Sequence, residues 1–197
     1  MAINLQKGQR ISLKKEAPKL QQLMCGLGWD VAKKAGLLGG LFQADFDLDA
    51  SVLCLDSKGK LKSNSEVVYF RNLRHYSSAI NHLGDNLTGA GDGDDEEIMV
   101  NLPLIPSSIH KLVFVVNIYS ALERKQDFSQ VKNAFVRLVD TINKKEIARY
   151  TLSGYGYEGK TGMIMAELMR VGDDWEMAAK GDGFKAKGLE DIVKLYQ

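Results

Sequence analysis

The chain has 197 residues, with 26 Lys and Arg against 25 Asp and Glu for a net charge of +1, and 45% of its residues are hydrophobic. That length supports one well-buried core, read here as a single domain spanning 1–197, and the composition is that of an ordinary globular protein. Balanced charge excludes a general attraction to nucleic acid, and no basic stripe with interleaved aromatics argues for one locally.

No stretch approaches 18 uninterrupted apolar residues, and the first ten residues lack the apolar run of a secretory signal, so a cytoplasmic protein is expected. The two cysteines, Cys25 and Cys54, have neither a CxxC spacing nor a neighbouring histidine. They read as small buried hydrophobes, not as a disulfide or a zinc site.

Along the chain, alternation of Ile11 and Leu13 with polar residues predicts a first strand that ends before Pro18. Leu23 to Asp30 predicts a second. Lys33 to Phe42 is too rich in glycine for a helix interior and reads as a mobile loop with apolar tips. Phe46 to Asp56 predicts a strand closed by a turn at Ser57-Lys58-Gly59-Lys60. Its alternation places Asp47 and Asp49 on one face, roughly 6 to 7 Å apart, with Phe46 and Leu48 on the other.

Val67 to Phe70 is a short strand candidate. Ile98, Val100 and Leu102 alternate as in a half-buried strand, ended by Pro103 and Pro106. Leu112 to Tyr119 is almost continuously apolar and β-branched, as expected of a central strand covered on both faces. Glu123 to Gln130 accommodates a helical turn. Ala134 to Asp140 with Glu146 to Leu152 predicts a hairpin turning at Asn143-Lys144. Thr161 to Val171 with Trp175 to Ala179 predicts another, turning at Gly172-Asp173-Asp174. Leu189, Ile192, Val193 and Tyr196 sit at helical spacing and predict a short terminal helix. Many short strands at regular spacing argue for an all-β protein, a β-sandwich of two mainly antiparallel sheets. Trp29, Trp175, Met163, Met165, Met169 and Met177 are expected in its core.

The segment from His82 to Glu97 stands apart. It carries Asp85, Asp92, Asp94, Asp95, Glu96 and Glu97 with no Lys or Arg, and glycine at Gly84, Gly89, Gly91 and Gly93. Two carboxylates about 4 Å apart repel by roughly 4 kcal/mol at an effective dielectric near 20, so a compact loop needs a cation, protons or wide spacing. Its donors are all oxygens. Calcium takes six to eight of these in a flexible shell, magnesium demands a strict octahedron, and the absence of His and Cys within the acidic run disfavours zinc and copper. An EF-hand starting at Asp92 fails, because Glu96 and Glu97 fall on its third ligand and its obligatory glycine.

Gly26-Leu27-Gly28-Trp29-Asp30, Phe46-Asp47-Leu48-Asp49-Ala50-Ser51 and the run from Gly84-Asp85-Asn86 to Asp94-Asp95-Glu96 together resemble the tellurite-resistance or stress-response TerD family. The likeness continues through Asn133 to Arg137 and Ala148-Arg149-Tyr150, covering nearly the whole chain, and the Lys33 to Phe42 insertion is similar to the TerZ branch. The resemblance implies a β-sandwich holding calcium, two ions close together, at one end of the sheets. Carried over position by position, the ligand set it implies is Asp30, Asp47, Asp49, Asp85, Asn86, Asp92, Asp94, Asp95 and Glu96. Asp30 enters only through the resemblance, and Glu97, which matches no family requirement, is expected to face solvent.

The function expected from these residues is a non-enzymatic calcium-binding module in tellurite and chemical-stress resistance, working with protein partners of the same system or at the inner membrane face. Two readings from other classes compete with it. Calcium-dependent membrane docking would use Leu37, Leu38, Leu41 and Phe42 as an apolar wedge. Metal-dependent hydrolysis is disfavoured, since His75, His82 and His110 are scattered and neither a nucleophile motif nor a P-loop is present. His82, next to the loop, is expected to make hydrogen bonds or lie at the surface.

Overall fold

The computed structural model describes residues 2–31, 47–84, 93–152 and 156–197. Strands β1 Ile3–Leu5, β3 Gln22–Val31, β6 Ile80–His82, β7 Glu96–Asn101, β9 Val131–Asp140 and β10 Lys145–Thr151 form one sheet, ordered β1-β10-β9-β3-β7-β6. Strands β2 Arg10–Ser12, β4 Leu48–Leu55, β5 Val67–Val68, β8 Lys111–Ile118, β11 Gly162–Val171 and β12 Asp174–Phe184 form the other, ordered β2-β12-β11-β8-β4-β5. All pairings are antiparallel except β1 with β10, which run parallel. The expected sandwich is therefore observed. The Lys33 to Phe42 loop lies outside the described residues.

One buried cluster joins the sheets, with Leu23, Cys25, Leu27 and Trp29 of β3 meeting Leu48, Ala50, Val52 and Cys54 of β4 and Leu112, Phe114, Val116 and Ile118 of β8. The continuous apolar run of β8 has the predicted cause. Its alternate residues Val113 and Val115 face outward into a second cluster with Leu53, Leu55 and Ile192, where the C-terminal helix α3 Leu189–Val193 covers the sheet. Trp29, Trp175, Met163, Met165 and Met177 are buried, Met169 is half-buried, and both cysteines are buried and free.

Local chemistry explains where the sequence reading and the fold part company. The first strand stops at Ser12, whose hydroxyl accepts from the Lys15 N–H at 3.0 Å and caps the helical turn α1 Leu13–Glu16. Leu13 is thus buried from a helix, not from a strand. Leu102 leaves β7 for a 3-10 turn with Pro103 in its first positions. At the tip of the β9–β10 hairpin, the Asp140 carboxylate accepts from the Ile142 and Asn143 N–H groups, and Lys144 takes a left-handed φ of 51°.

The helix α3 is part of the fold because Ile192 is fully buried beneath it. Replacing Ile192 with Ala is expected to cost about 3 kcal/mol of stability, measured by urea unfolding, with a matched change at exposed Leu195 costing little.

Candidate metal centre

Chain direction places the predicted residues at a common end. There β3 finishes at Val31, β6 at His82 and β8 at Ile118, while β4 starts at Leu48, β7 at Glu96 and β9 at Val131. Asp30, Asp47, Asp49, Asp94, Asp95 and Glu96 all lie at these strand ends. Asp85, Asn86 and Asp92 lie outside the described residues.

The segment 93–95 lies against β3 because that strand is bare there. A Cβ on Gly26 would fall 2.2 Å from Oδ2 of Asp94, and one on Gly28 would fall 2.6 Å from the Gly93 carbonyl oxygen and 2.5 Å from the Phe135 ring. Gly93 itself has a φ of 131°, which a side chain would disfavour. Two glycines in a strand interior weaken it on propensity, and here they clear a trough for the acidic segment.

Into that trough Arg137 of β9 points its fork. Its Nε donates to Asp94 Oδ1 at 2.8 Å and its Nη2 to Asp94 Oδ2 at 2.8 Å, and the Asp94 side chain is only 1% exposed. Arg137 Nη1 continues to Glu146 at 3.1 Å, Glu146 accepts from Arg149, and Arg149 lies over the Phe135 ring at 4.1 Å. The hydrogen bonds from Arg149 and then Arg137 hold the Glu146 carboxyl below the usual glutamate range, and the bonds to Asp94 raise the Arg137 guanidinium. Sequence reasoning placed Asp94 among the metal ligands. The fold gives its two oxygens to a buried bidentate ion pair.

Asp95 is held by the backbone. The register of β3 on β9 shifts between Gly28 and Asp30, and the Trp29 N–H donates to Asp95 Oδ2 at 2.7 Å. The Asp95 N–H in turn donates to the Leu27 carbonyl at 2.8 Å. Burial pushes the Asp95 carboxyl up, the Trp29 bond pulls it down, and the negative charges of Asp30 and Asp94 push it up further. Asp30 is exposed on the same strand end and accepts from Asn133 Nδ2 at 2.6 Å.

Glu96 is the first residue of β7 and points inward, the alternation of Ile98 and Val100 continuing back through it. It reaches across the sandwich, where Oε2 accepts from the Ala50 N–H of β4 at 2.7 Å and lies 3.2 Å from His82 Nε2. The Gly84 N–H donates to His82 Nδ1 at 3.2 Å, which leaves the imidazole proton on Nε2, facing Glu96 and the Ala50 carbonyl. His82 is buried and hydrogen-bonded through both nitrogens, as a structural group would be, and not at the surface. Glu97 is half-buried.

Asp49 lies on the outer face of the second sheet, opposite Asn117 of β8 in register. It is 6% exposed and accepts from Asn117 Nδ2 at 3.2 Å. With Ser51 and Asn117 it lines a cleft of about 1000 Å³ beside the terminal helix. Asn117 Oδ1 and Ser51 Oγ are buried with no hydrogen-bond partner among the described residues. Among those residues the predicted carboxylates form no group of three within 4.8 Å of one another.

The TerD-domain profile matches residues 1–196 of the sequence. The chain belongs to the TerD family. It is 48% identical over 201 residues to stress response protein SCP2 of Bacillus subtilis, covering both chains fully. It is 43% identical over 192 residues to tellurium resistance protein TerZ of Serratia marcescens, covering 96% of this chain and 94% of that one. The crystal structure of a telluride-resistance TerD homologue from Streptomyces coelicolor superposes with a TM-score of 0.66 at 21% identity, covering 90% of this chain and 98% of that chain. The shared TerD fold is thus the sandwich described above. No helix among the described residues is long and apolar enough to cross a membrane.

The trough predicts a coupled pair. Gly26→Ala is expected to destabilise this TerD protein, and the same change in an Asp94→Ala background to cost at least about 1 kcal/mol less, because the obstructing carboxylate is gone. Urea unfolding of the four proteins of the cycle measures the coupling. Arg137→Ala leaves the buried Asp94 charge unpaired and is expected to cost about 3 kcal/mol in the same assay.

Proposed function

We propose that this protein is a non-enzymatic calcium-binding module of the tellurium-resistance and stress-response family, with two ions held at the end of the sandwich where the acidic segment meets β3 and β4. The observation that carries the reading is the setting of Asp49. A buried carboxylate stands beside two buried oxygens, Asn117 Oδ1 and Ser51 Oγ, that have no hydrogen-bond partner among the described residues. Unsatisfied buried oxygens next to a buried carboxylate suit a hard cation, which takes oxygen from carboxylate, amide and hydroxyl alike.

Within this reading the acidic positions divide by task. Asp30, Asp47, Asp49 and Asp95, together with Asp85, Asn86 and Asp92 of the adjoining segment, are assigned to the ions. Asp94 and Glu96 are assigned to the frame, since Arg137 takes the one and Ala50 and His82 the other. A bound calcium supplies positive charge that offsets the repulsion among these carboxylates. The chain's own part is to hold oxygens from β3, β4 and the acidic segment at fixed spacing.

Catalysis is not part of this reading. His82, the histidine next to the acidic segment, has both ring nitrogens engaged, so no base is poised there. The metal-bearing end is instead the surface offered to protein partners of the same resistance system, including those at the inner membrane face.

Calcium at a hundred times its dissociation constant is expected to stabilise the metal-stripped protein by about 2.7 kcal/mol, a rise of roughly 5 to 10 °C in melting temperature for a chain of this size. Asp47→Asn is expected to lose most of that rise, and Asp94→Asn to keep it on a lower starting stability. A melt that does not move with calcium would overturn the reading.

A further inference from the structure

Cys54, Glu66 and His75 come from three separate parts of the chain and meet in the interior. Cys54 is near the far end of β4, Glu66 closes the 3-10 turn Asn64–Glu66 before β5, and His75 lies between β5 and β6. Their donor atoms all lie within 4.8 Å of one another, and the three residues are 2%, 6% and 0% exposed. Counted along β4, Cys54 is five residues from Asp49, roughly 17 Å away, so the group is separate from the acidic end.

We propose that Cys54, Glu66 and His75 form a binding site for one thiophilic divalent ion of the zinc class. One sulfur, one imidazole nitrogen and one carboxylate oxygen are a three-ligand set that zinc accepts, with one tetrahedral position beyond them. His75 Nε2 and Glu66 Oε2 are 2.9 Å apart. Bonds of about 2.0 to 2.1 Å to a shared tetrahedral ion need that separation to widen only to roughly 3.3 Å.

Outer groups are in place as well. Ser77 Oγ lies 2.7 Å from His75 Nδ1, and the Tyr76 hydroxyl donates to Glu66 Oε1 at 3.3 Å. Such partners fix the imidazole tautomer and orient the carboxylate of metal sites. Backbone bonds hold the histidine, with its N–H donating to the Ile80 carbonyl at 3.0 Å and its carbonyl accepting from the Ser78 N–H at 2.8 Å.

Without an ion, burial and the Glu66 charge both push the Cys54 thiol up, so the cysteine is kept protonated. On binding, the sulfur–metal bond replaces the S–H bond and that proton passes to bulk water while the chain is still folding. For Nε2 to bind the ion the imidazole proton passes to Nδ1, which gives up the bond it accepts from the Ser77 N–H at 3.3 Å and donates instead to Ser77 Oγ, 2.7 Å away. Affinity therefore rises with pH. The ion would staple the stretch 56–79, on either side of β5, to β4. Because the site is closed, it would be filled as the chain folds.

The test is to unfold the protein and refold it with zinc or cobalt(II), remove excess metal, and measure metal content and the cobalt absorption spectrum. About one zinc per chain is expected, with a near-ultraviolet sulfur-to-cobalt charge-transfer band. Cys54→Ser should abolish the band, and His75→Gln should lower zinc retention at least tenfold. The calcium-induced rise in melting temperature, read on the same samples, should be unchanged, which keeps this site's test apart from that of the acidic end. Folded wild-type protein that takes up neither metal, or a band that survives in Cys54→Ser, would overturn the proposal. Should Cys54→Ser fail to fold, the wild-type cobalt spectrum decides.

Discussion

The acidic end depends on one ion pair, that of Arg137 with Asp94, seated over the two glycines of β3. Six carboxylates within 13 residues, Asp85 to Glu97, cannot be packed close to a sheet without something to offset their repulsion. Arg137 supplies part of that offset in bidentate form, and Glu146 and Arg149 extend the ion-pair network behind it. Gly26 and Gly28 make the approach possible, since a methyl group at either would occupy the space of Asp94, Gly93 or Phe135. A locally weak strand is thus the condition for residues 93–95 to lie against the sheet. Asp95 and Glu96 follow from this anchor, one turned to the Trp29 N–H and the other sent between the sheets to Ala50.

Much of the fold was legible because the code was local. The apolar run of β8, the two long hairpins and the helical spacing of Leu189, Ile192, Val193 and Tyr196 each announce themselves within a dozen residues. The three-residue strands β1 and β6 did not, because so short a stretch carries no period, and their pairing is decided by the neighbouring strand. Leu13 looked like a strand residue because a four-residue helical turn has no period either. Its signal was the capping Ser12.

At the site, alternation predicted that Asp47 and Asp49 share a face, and the charge run marked the segment as unusual, both within a few residues of sequence. What the sequence could not show was which carboxylates already had partners. Arg137 is 43 positions from Asp94, and Ala50 is 46 from Glu96. A glutamate beside a run of aspartates looks like loop until the strand is seen to begin on it. The same limit hid the Cys54, Glu66 and His75 group, because zinc-type ligands are recognised in sequence by close spacing and these span 21 positions.

In the function proposed above, calcium joins parts of the chain that the sequence keeps apart. The most direct measurement is a crystal structure of the protein grown with calcium. The account predicts ions coordinated jointly by oxygens of the β4 start, Asp47 or Asp49, and by oxygens of the 85–95 segment, with Asp94 still on Arg137. Ions bound by the acidic segment alone, or Asp94 released from Arg137 to become a ligand, would contradict it.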